Sequence, residues 1–213
     1  MTSHRILIVN DSCDCGRSYK LPFEALGTCV SEDAGLWVGE RDVDLVVFTG
    51  GADVDPALYG EHQHFTTYVD AKRDQYEVEL FRHALSLGIP MLGICRGAQF
   101  LCVMAGGKLV QNMDGHQRDH KIRTRDDRWF MVSSVHHQMQ LPPEDAEVLG
   151  WSDPKRASIY EGGIGDITPD LEFEVVAYQS IRAVGLQYHP EIMDSSSDGF
   201  RYCQELAMLL LNG

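Results

Sequence analysis

A single cysteine, Cys95, stands between two glycines in the stretch GICRG, where a strand-like run gives way to a helix-like one. This G-x-C-x-G pattern is the cysteine form of a nucleophile elbow, in which a sharp strand-to-helix turn exposes a reactive side chain. The glycines allow the backbone to pack closely on both sides, and the positive end of the following helix favours the thiolate, the reactive form. The pattern predicts a nucleophile, with a small core cysteine as the alternative interpretation.

A cysteine nucleophile requires a nearby imidazole, and His189 stands apart among the nine histidines. It ends a buried strand-like run and is followed by Pro190 and Glu191. The carboxyl ends of parallel strands are where α/β sheets place their sites. Glu191 could accept a hydrogen bond from the ring, fix its tautomer and stabilise the imidazolium, as the acid of a triad does. A core histidine held at a turn by a nearby acid is the alternative.

The elements that must position these groups are visible as apolar runs that alternate with helix-like segments. The runs are continuous, which is typical of parallel strands covered on both faces. They occupy residues 5–10, 44–51, 89–94, 173–180 and 183–190. Helices are predicted over 73–88, over 98–107 and over 198–213, and the first is expected to begin at an Asp74 cap with Glu77 completing a capping box. Short antiparallel strands and loops are expected over 108–172.

The order of these elements predicts a single α/β domain over residues 1–213, a three-layer sandwich around a mostly parallel sheet. The net charge of −14 argues against binding to nucleic acid or to an anionic membrane surface. No stretch approaches the roughly 20 apolar residues that span a membrane, and no signal-peptide cleavage pattern follows the first apolar run.

Six cysteines without paired CxxC spacing favour a reducing cytoplasm over a disulfide framework. Cys13 and Cys15 form a lone CxC that could bind a metal, but two loop cysteines are the favoured interpretation. No metal site and no cofactor are therefore expected.

The motifs taken together resemble those of class I glutamine amidotransferases. GICRGAQ contains Cys95 and LQYHPE contains His189, 94 residues further along the chain. FTGGADVDPALYGE over 48–61 and SSVHHQ over 133–138 are similar to the branch that contains γ-glutamyl-γ-aminobutyrate hydrolases, peptidase family C26. The resemblance covers nearly the whole chain and implies the flavodoxin-like class I glutamine amidotransferase fold.

The resemblance also implies a role for each matching residue. Cys95 would attack the γ-carbonyl of glutamine or of a γ-glutamyl amide and form a thioester. His189 would carry the proton to the leaving amine, and Glu191 would orient the ring. The backbone N–H groups of Gly51 and Arg96 would form the oxyanion hole.

Contacts with the rest of the substrate are implied less directly. Gln99 would contact the amino-acid end of the γ-glutamyl group, and the backbone around Ser134, Val135 and His136 would hold its other side. Arg73 could bind a substrate carboxylate, because its planar fork suits that group. The stretch 10–27 departs from the family, since it lacks the expected substrate-side tyrosine arrangement.

Three functions remain open at this point. The first is a free-standing hydrolase that releases glutamate and an amine or ammonia from a small-molecule substrate. The second is a glutaminase subunit that delivers ammonia to a separate amide-forming synthetase. The third is an inactive binding or scaffold protein with the same fold. Dimers are common in such folds, so a homodimer is compatible with each.

Overall fold

The centre of the molecule is a mixed β-sheet with helices on both faces. The computed structural model describes residues 4–11, 16–31, 43–163, 165–166 and 168–213. The strands are β1 (His4–Val9), β2 (Gly27–Ser31), β3 (Leu45–Phe48), β4 (Met91–Ile94), β5 (Lys108–Val110), β6 (Asn112–Met113), β7 (His120–Thr124), β8 (Trp129–Val132), β9 (Met139–Leu141), β10 (Glu147–Ser152), β11 (Tyr160–Gly162), β12 (Gly165–Asp166), β13 (Phe173–Tyr178) and β14 (Ala183–Leu186). The helices are α1 (Ala71–Ser86), α2 (Arg96–Met104) and α3 (Asp198–Asn212).

Among the described residues, the main sheet has nine strands in the order β2-β1-β3-β4-β14-β13-β10-β7-β8. The first five strands in this order are parallel to one another. The carboxyl ends of β1, β3, β4 and β14 therefore meet at one edge, where open α/β sheets bind ligands. The expectation of a mostly parallel sheet is confirmed.

The other half of the sheet is antiparallel, and here one prediction was wrong. The run 173–180 was expected to form a parallel strand, but β13 pairs antiparallel with β14. The two strands are joined by a single short turn over Gln179–Ile181. A parallel return would need a crossover of a dozen or more residues. The expected short antiparallel strands over 108–172 are present, and three of them, β10, β7 and β8, extend the main sheet.

The core lies in two layers because the inner strands are apolar on both faces. Leu7 and Val9 of β1 pack with Leu80 and Phe100, which belong to α1 and α2. The alternate residues of β1 pack on the opposite face with α3, through side chains that include Tyr202 and Leu206. Successive side chains of a strand point to opposite faces, so the continuous apolar runs produce the predicted three-layer arrangement.

The start of α1 differs from the prediction. The cap is Asp70, whose carboxylate accepts hydrogen bonds from Lys72 N and Arg73 N. Asp74 and Glu77, expected to form the capping box, instead point into the protein and bind Arg96. From local sequence alone, an acidic residue near the start of a helix can be either its cap or the partner of a buried cation. Only the contact with the buried Arg96 shows that Asp74 has the second role.

No helix within the described ranges is long and apolar enough to cross a bilayer. Cys13 and Cys15, considered above as a CxC motif, lie outside the described residues.

The close contact between α2 and the sheet gives a test of the packing. A Cβ atom at Gly97 would lie 2.1 Å from the carbonyl oxygen of Phe48. We expect Gly97→Ala to lower the free energy of unfolding by about 3 kcal/mol, because backbone on both sides must shift. The measurement is urea unfolding followed by circular dichroism.

Gly60→Ala is the matched control for this substitution. Gly60 has φ +72° and no atom within 4 Å of the added carbon. Its replacement should cost only the left-handed backbone penalty, about 1–2 kcal/mol. A Gly97→Ala protein as stable as Gly60→Ala would contradict the packing argument.

Candidate active site

Cys95 lies on the turn between β4 and α2, with the backbone strained as the elbow pattern predicts. Its φ is 53° and its ψ −107°, a conformation that residues other than glycine rarely adopt. Its N–H donates to Leu186 O at 2.7 Å, so the turn is fastened to β14. The thiol is free and partly exposed. The turn therefore presents the sulfur at the carboxyl edge of the parallel strands.

His189 reaches the same edge from the segment after β14. The strand itself ends at Leu186, three residues before the position predicted from the sequence. His189 is held through its backbone: its N–H donates to Ser133 O at 3.3 Å, and Ser133 Oγ donates to His189 O. Sequence reasoning missed Ser133, although it singled out the 133–138 segment. This clamp fixes where the imidazole can point.

Glu191 orients the ring through a short hydrogen bond. Its Oε1 lies 2.6 Å from Nδ1 of His189, and its side chain is fully buried. Nε2 of His189 has no hydrogen bond of standard geometry within the described part of the chain. That atom is thus left for Cys95, and catalytic hydrogen bonds in ligand-free proteins are often long.

The charge state of His189 follows from these neighbours. Burial by itself lowers the pKa of the ring, but the charge of Cys95, a hydrogen-bonding interaction with it, and Glu191 together raise that pKa well above the usual value. These neighbours therefore favour the protonated form of the imidazole. A protonated imidazole beside a sulfur is the arrangement that favours a thiolate.

The loop after β3 packs against the cysteine turn, and Arg73 holds it there. Nη2 of Arg73 donates to Thr49 O at 2.9 Å, and Nη1 donates to Gly50 O at 2.8 Å. The C=O and N–H groups of a planar trans peptide point in opposite directions. The N–H of Gly51 therefore points away from Arg73, on the exposed side of the loop.

These contacts correct the expectation for Arg73 itself. Its Nε donates to Glu77 Oε1 at 2.6 Å, so both sides of the guanidinium fork are occupied by the protein. The side chain is only 13% exposed. Arg73 positions the Gly50–Gly51 loop and is not available as the bidentate site for a substrate carboxylate.

Arg96 supplies its backbone to the turn and its side chain to the interior. The guanidinium is 1% exposed and donates to Glu77, to Asp74 and to the carbonyl of Ala52. Asp74 also accepts from Asp55 N at 3.0 Å. Two arginines and two carboxylates thus form a charge-balanced network, buried except for the partly exposed Arg73. It connects α1 to the cysteine turn and to the 49–55 loop.

The residues expected to contact a substrate lie around this edge, and some of their polar groups already form hydrogen bonds within the protein. Gln99 is buried and donates from Nε2 to Gln138 O at 3.1 Å. Ser134 Oγ donates to His116 O, and the N–H of His136 donates to the same carbonyl, so that N–H is not available to a substrate. Val135 between them is exposed. Contacts of Gln99, Ser134 and Val135 with a substrate stay predictions.

The two residues that follow brace this segment. Nε2 of His137 lies 3.3 Å from Asp53 Oδ1, and this hydrogen-bonding contact raises the pKa of the ring. Gln138 Nε2 donates to Thr67 Oγ1 at 3.1 Å. The 133–138 segment is consequently tied to the loop that follows Gly51.

Tyr19 is a site residue that the sequence did not reveal. A Cβ atom at Gly50 would lie 2.5 Å from its hydroxyl and 3.1 Å from Cε1 of His189. Burial raises the pKa of Tyr19, and the charges of Glu191 and Cys95 add to that effect. The stretch 10–27 therefore does bring a tyrosine beside the imidazole, contrary to expectation.

A possible metal-ligand group lies behind the 133–138 segment. Within the described residues, ligand atoms of His116, His136 and Glu174 lie within 4.8 Å of one another. Burial acts to lower the pKa of His116, but Glu172 and Glu174 raise it to about 9. Burial lowers the pKa of His136.

Comparison with known proteins gives matches along most of the chain. Residues 38–191 match the Peptidase C26 family. A Schizosaccharomyces pombe protein described as a glutamine amidotransferase is 30% identical over 175 residues, covering 76% of this chain and 68% of that protein. The γ-glutamyl-γ-aminobutyrate hydrolase of Escherichia coli is 29% identical over 158 residues, covering 66% and 60% respectively.

Other matches are more partial. The carbamoyl phosphate synthase small chain of Zymomonas mobilis is 26% identical over 133 residues, covering 59% of this chain and 31% of that protein. Three relatives with local identities of 44–46% are matched over only 28–38% of their own length. The crystal structure of a Thermotoga maritima glutamine amidotransferase has a TM-score of 0.63 at 19% identity, covering 100% of this chain and 90% of that one. The predicted fold is thereby confirmed.

The buried arginine network yields a stability prediction. We expect Arg96→Met to lower the free energy of unfolding by about 3–5 kcal/mol, because it leaves Asp74 buried without its cation and Glu77 with Arg73 alone. Arg125→Met removes an exposed pair with Glu147 in which the arginine is 64% exposed, and should cost less than about 1 kcal/mol. Equal losses in urea unfolding would refute the assigned role of the network.

The charge state of His189 yields a second prediction. Glu191→Gln removes an opposite charge in contact with the ring, so the pKa of His189 should fall by about 1–3 pH units. NMR titration of the histidine Cε1 signals measures this directly. Glu205→Gln, an exposed change on α3, is the control and should leave the His189 titration unmoved. An unchanged pKa in Glu191→Gln would show that the contact does not set the charge state.

Proposed function

Since this chain belongs to the Peptidase C26 family of class I glutamine amidotransferase-like proteins, we propose that it is a cysteine-dependent amidohydrolase. Its substrate is glutamine or a γ-glutamyl amide, and its products are glutamate and an amine or ammonia. The reaction passes through a γ-glutamyl thioester on Cys95.

One observation carries this proposal. His189 is fixed from behind by Glu191 at 2.6 Å, while its other ring nitrogen is left without a standard hydrogen bond beside the strained Cys95 turn. A nucleophile, a base and an orienting acid in this order are the signature of covalent acyl transfer. Burial of an acid and a histidine for packing alone would not require the cysteine to occupy a left-handed backbone.

The first half of the reaction uses the charge state of the site. The Cys95 thiolate attacks the γ-carbonyl carbon, a C–S bond forms, and the carbonyl oxygen becomes an oxyanion. Protonated His189 then gives its Nε2 proton to the leaving nitrogen, and the C–N bond breaks. Glu191 stabilises the imidazolium before this transfer and keeps the ring in one orientation.

The second half reverses the proton path. Neutral His189 takes a proton from a water molecule, which attacks the thioester carbonyl and releases glutamate and the thiolate. In both halves the oxyanion accepts hydrogen bonds from the N–H groups of Gly51 and Arg96. Each such donor contributes roughly 3–4 kcal/mol to the transition state. The hydrogen bond that Arg73 donates to Gly50 O supports this role, because it orients the N–H of Gly51 away from Arg73.

Substrate binding is assigned to the neighbouring segments. Gln99, one helical turn beyond Cys95, contacts the amino-acid end of the γ-glutamyl group. The backbone of 134–136 lies along the other side, and the exposed Val135 is the member nearest to solvent. Because His136 N is already used by His116 O, the contacts of this segment come from Ser134 and Val135 and not from the His136 N–H.

A second candidate is favoured by one relative. The similarity to a carbamoyl phosphate synthase small chain supports a glutaminase subunit that works with a synthetase. The same residues would then release ammonia for a partner enzyme. The two candidates share the thioester and differ in whether glutamate release needs that partner.

Replacement of the nucleophile tests both candidates. Cys95→Ala should lower glutamate release by roughly 10⁴-fold or more, because no other group can take the place of the thiol. A glutamine-like electrophile should label the natural chain once, at Cys95, as read by peptide mass spectrometry. Glutamate is measured with glutamine and a panel of γ-glutamyl amines.

Cys29→Ala is the matched control. Cys29 is also partly exposed, but burial raises the pKa of its thiol to about 11, so it is expected to remain unlabelled. Labelling of Cys95 with glutamate release only after a synthetase is added would favour the subunit. If neither labelling of Cys95 nor release of glutamate is observed, both candidates are ruled out and the inactive binding protein remains.

A further inference from the structure

Five ionisable side chains are packed together behind the 133–138 segment. We refer to His116, His120, His136, Glu172 and Glu174 as the His–Glu cluster, and each is at most 3% exposed. They come from three separate parts of the sequence, residues 116–120, His136 and residues 172–174. Glu174 lies on β13. None of these side chains takes part in the chemistry proposed for Cys95, so the cluster needs its own explanation.

Three atoms of the cluster are buried without a hydrogen-bond partner among the described residues. They are Nδ1 of His116, Nε2 of His136 and Oε2 of Glu174. The two nitrogens lie 3.2 Å and 3.6 Å from Oε1 of Glu174, but neither contact has the geometry of a hydrogen bond. Buried polar atoms are normally satisfied, so two unsatisfied ring nitrogens that face one carboxylate, whose Oε2 is also unsatisfied, indicate a missing occupant.

The opposite sides of both rings are already committed. Nε2 of His116 lies 2.9 Å from Glu172 Oε2, and Nδ1 of His136 lies 2.9 Å from Gln138 O. When both rings are neutral, donation to these acceptors leaves a lone pair on each inward nitrogen, and both lone pairs face the Glu174 carboxylate. Lone pairs and a carboxylate repel one another unless a proton or a metal ion lies between them. Outer carboxylate and carbonyl partners of this type are typical of histidines that bind a metal.

The distances agree with one ion of the zinc class. Bonds of 2.0–2.2 Å in a tetrahedral site place neighbouring ligand atoms about 3.3–3.6 Å apart. The two ring nitrogens lie 3.2 Å and 3.6 Å from Glu174 Oε1, in a group whose ligand atoms all lie within 4.8 Å of one another. Two imidazoles and one carboxylate suit zinc better than calcium or magnesium, which prefer oxygen ligands. We propose that His116, His136 and Glu174 bind one Zn²⁺ ion.

The site is structural because the cluster is closed to solvent. His120 Nε2 lies 2.9 Å from Glu174 Oε1 and holds the carboxylate from outside the ligand group. The carbonyl of His116 accepts from Ser134 Oγ and from His136 N. An ion on His116 and His136 therefore fixes the 133–138 segment, which clamps His189 and borders the substrate site.

Direct measurement of metal content tests the proposal without reference to catalysis. The natural chain is stripped with a chelator, supplied with one equivalent of Zn²⁺, dialysed and analysed by mass spectrometry of the metal. One ion per chain and a higher melting temperature than in the stripped protein are expected. Co²⁺ in place of Zn²⁺ should give the visible absorption of a tetrahedral site, which requires no substitution in the chain.

Substitutions then locate the ion. His116→Gln and Glu174→Gln should lose it, whereas Glu172→Gln should weaken Zn²⁺ binding about 10–100-fold. His62→Gln removes an exposed histidine and should bind as the natural chain does. A natural chain that retains no Zn²⁺ and shows no Co²⁺ absorption overturns the proposal, with a shared proton as the occupant. If His116→Gln and Glu174→Gln retain as much Zn²⁺ as the natural chain, the proposal is overturned as well, because the ion would then lie elsewhere.

Discussion

The left-handed backbone of Cys95 is the constraint on which the rest of the site depends. Such a conformation costs on the order of 1–3 kcal/mol outside glycine and persists only where the surroundings enforce it. Here Leu186 O accepts the Cys95 N–H, and Ala98 N donates to the Cys95 carbonyl. A Cβ atom at Gly93 would lie 2.4 Å from the carbonyl of Gly97. The turn can therefore close only because both flanking positions lack side chains.

The strained turn also explains why the protein buries Arg96. Arg96 follows the cysteine directly, so its side chain must enter the interior between α1 and the 49–55 loop. Asp74 and Glu77, nearly one helical turn apart on α1, receive it, and Glu77 also binds Arg73. Buried ion pairs are weak sources of stability, since desolvation offsets their attraction. Their consequence here is geometric: one network sets the cysteine turn and the direction of the Gly51 N–H together.

The antiparallel half of the sheet supports the imidazole from the opposite side. Ser133, directly after β8, holds both backbone groups of His189. The same segment continues to His136, whose ring enters the His–Glu cluster beside Glu174 of β13. Parallel strands thus present the sulfur, and antiparallel strands position the imidazole. Both halves meet at β14, which pairs with β4 on one side and with β13 on the other.

The sequence by itself determined the features that depend on neighbouring residues. The glycines around Cys95 predicted the turn, the continuous apolar runs predicted strands covered on both faces, and the two-residue spacing of His189 and Glu191 predicted their contact. The direction of β13 could not be read, because an apolar run is the same in either direction. The cap was assigned to Asp74 instead of Asp70, because both are acidic and only the distant Arg96 separates their roles.

Tertiary structure alone decided which distant groups meet. Arg73 binds the carbonyls before Gly51, Tyr19 reaches the imidazole, and His116, His136 and Glu174 converge behind the 133–138 segment. No periodicity or motif reports these contacts, since each joins segments far apart in the chain. The physical reason is that a local sequence pattern depends on the backbone conformation and burial of the residues within it, and not on which distant side chains they contact. The partner of a buried charge is set by the order of the strands that enclose it.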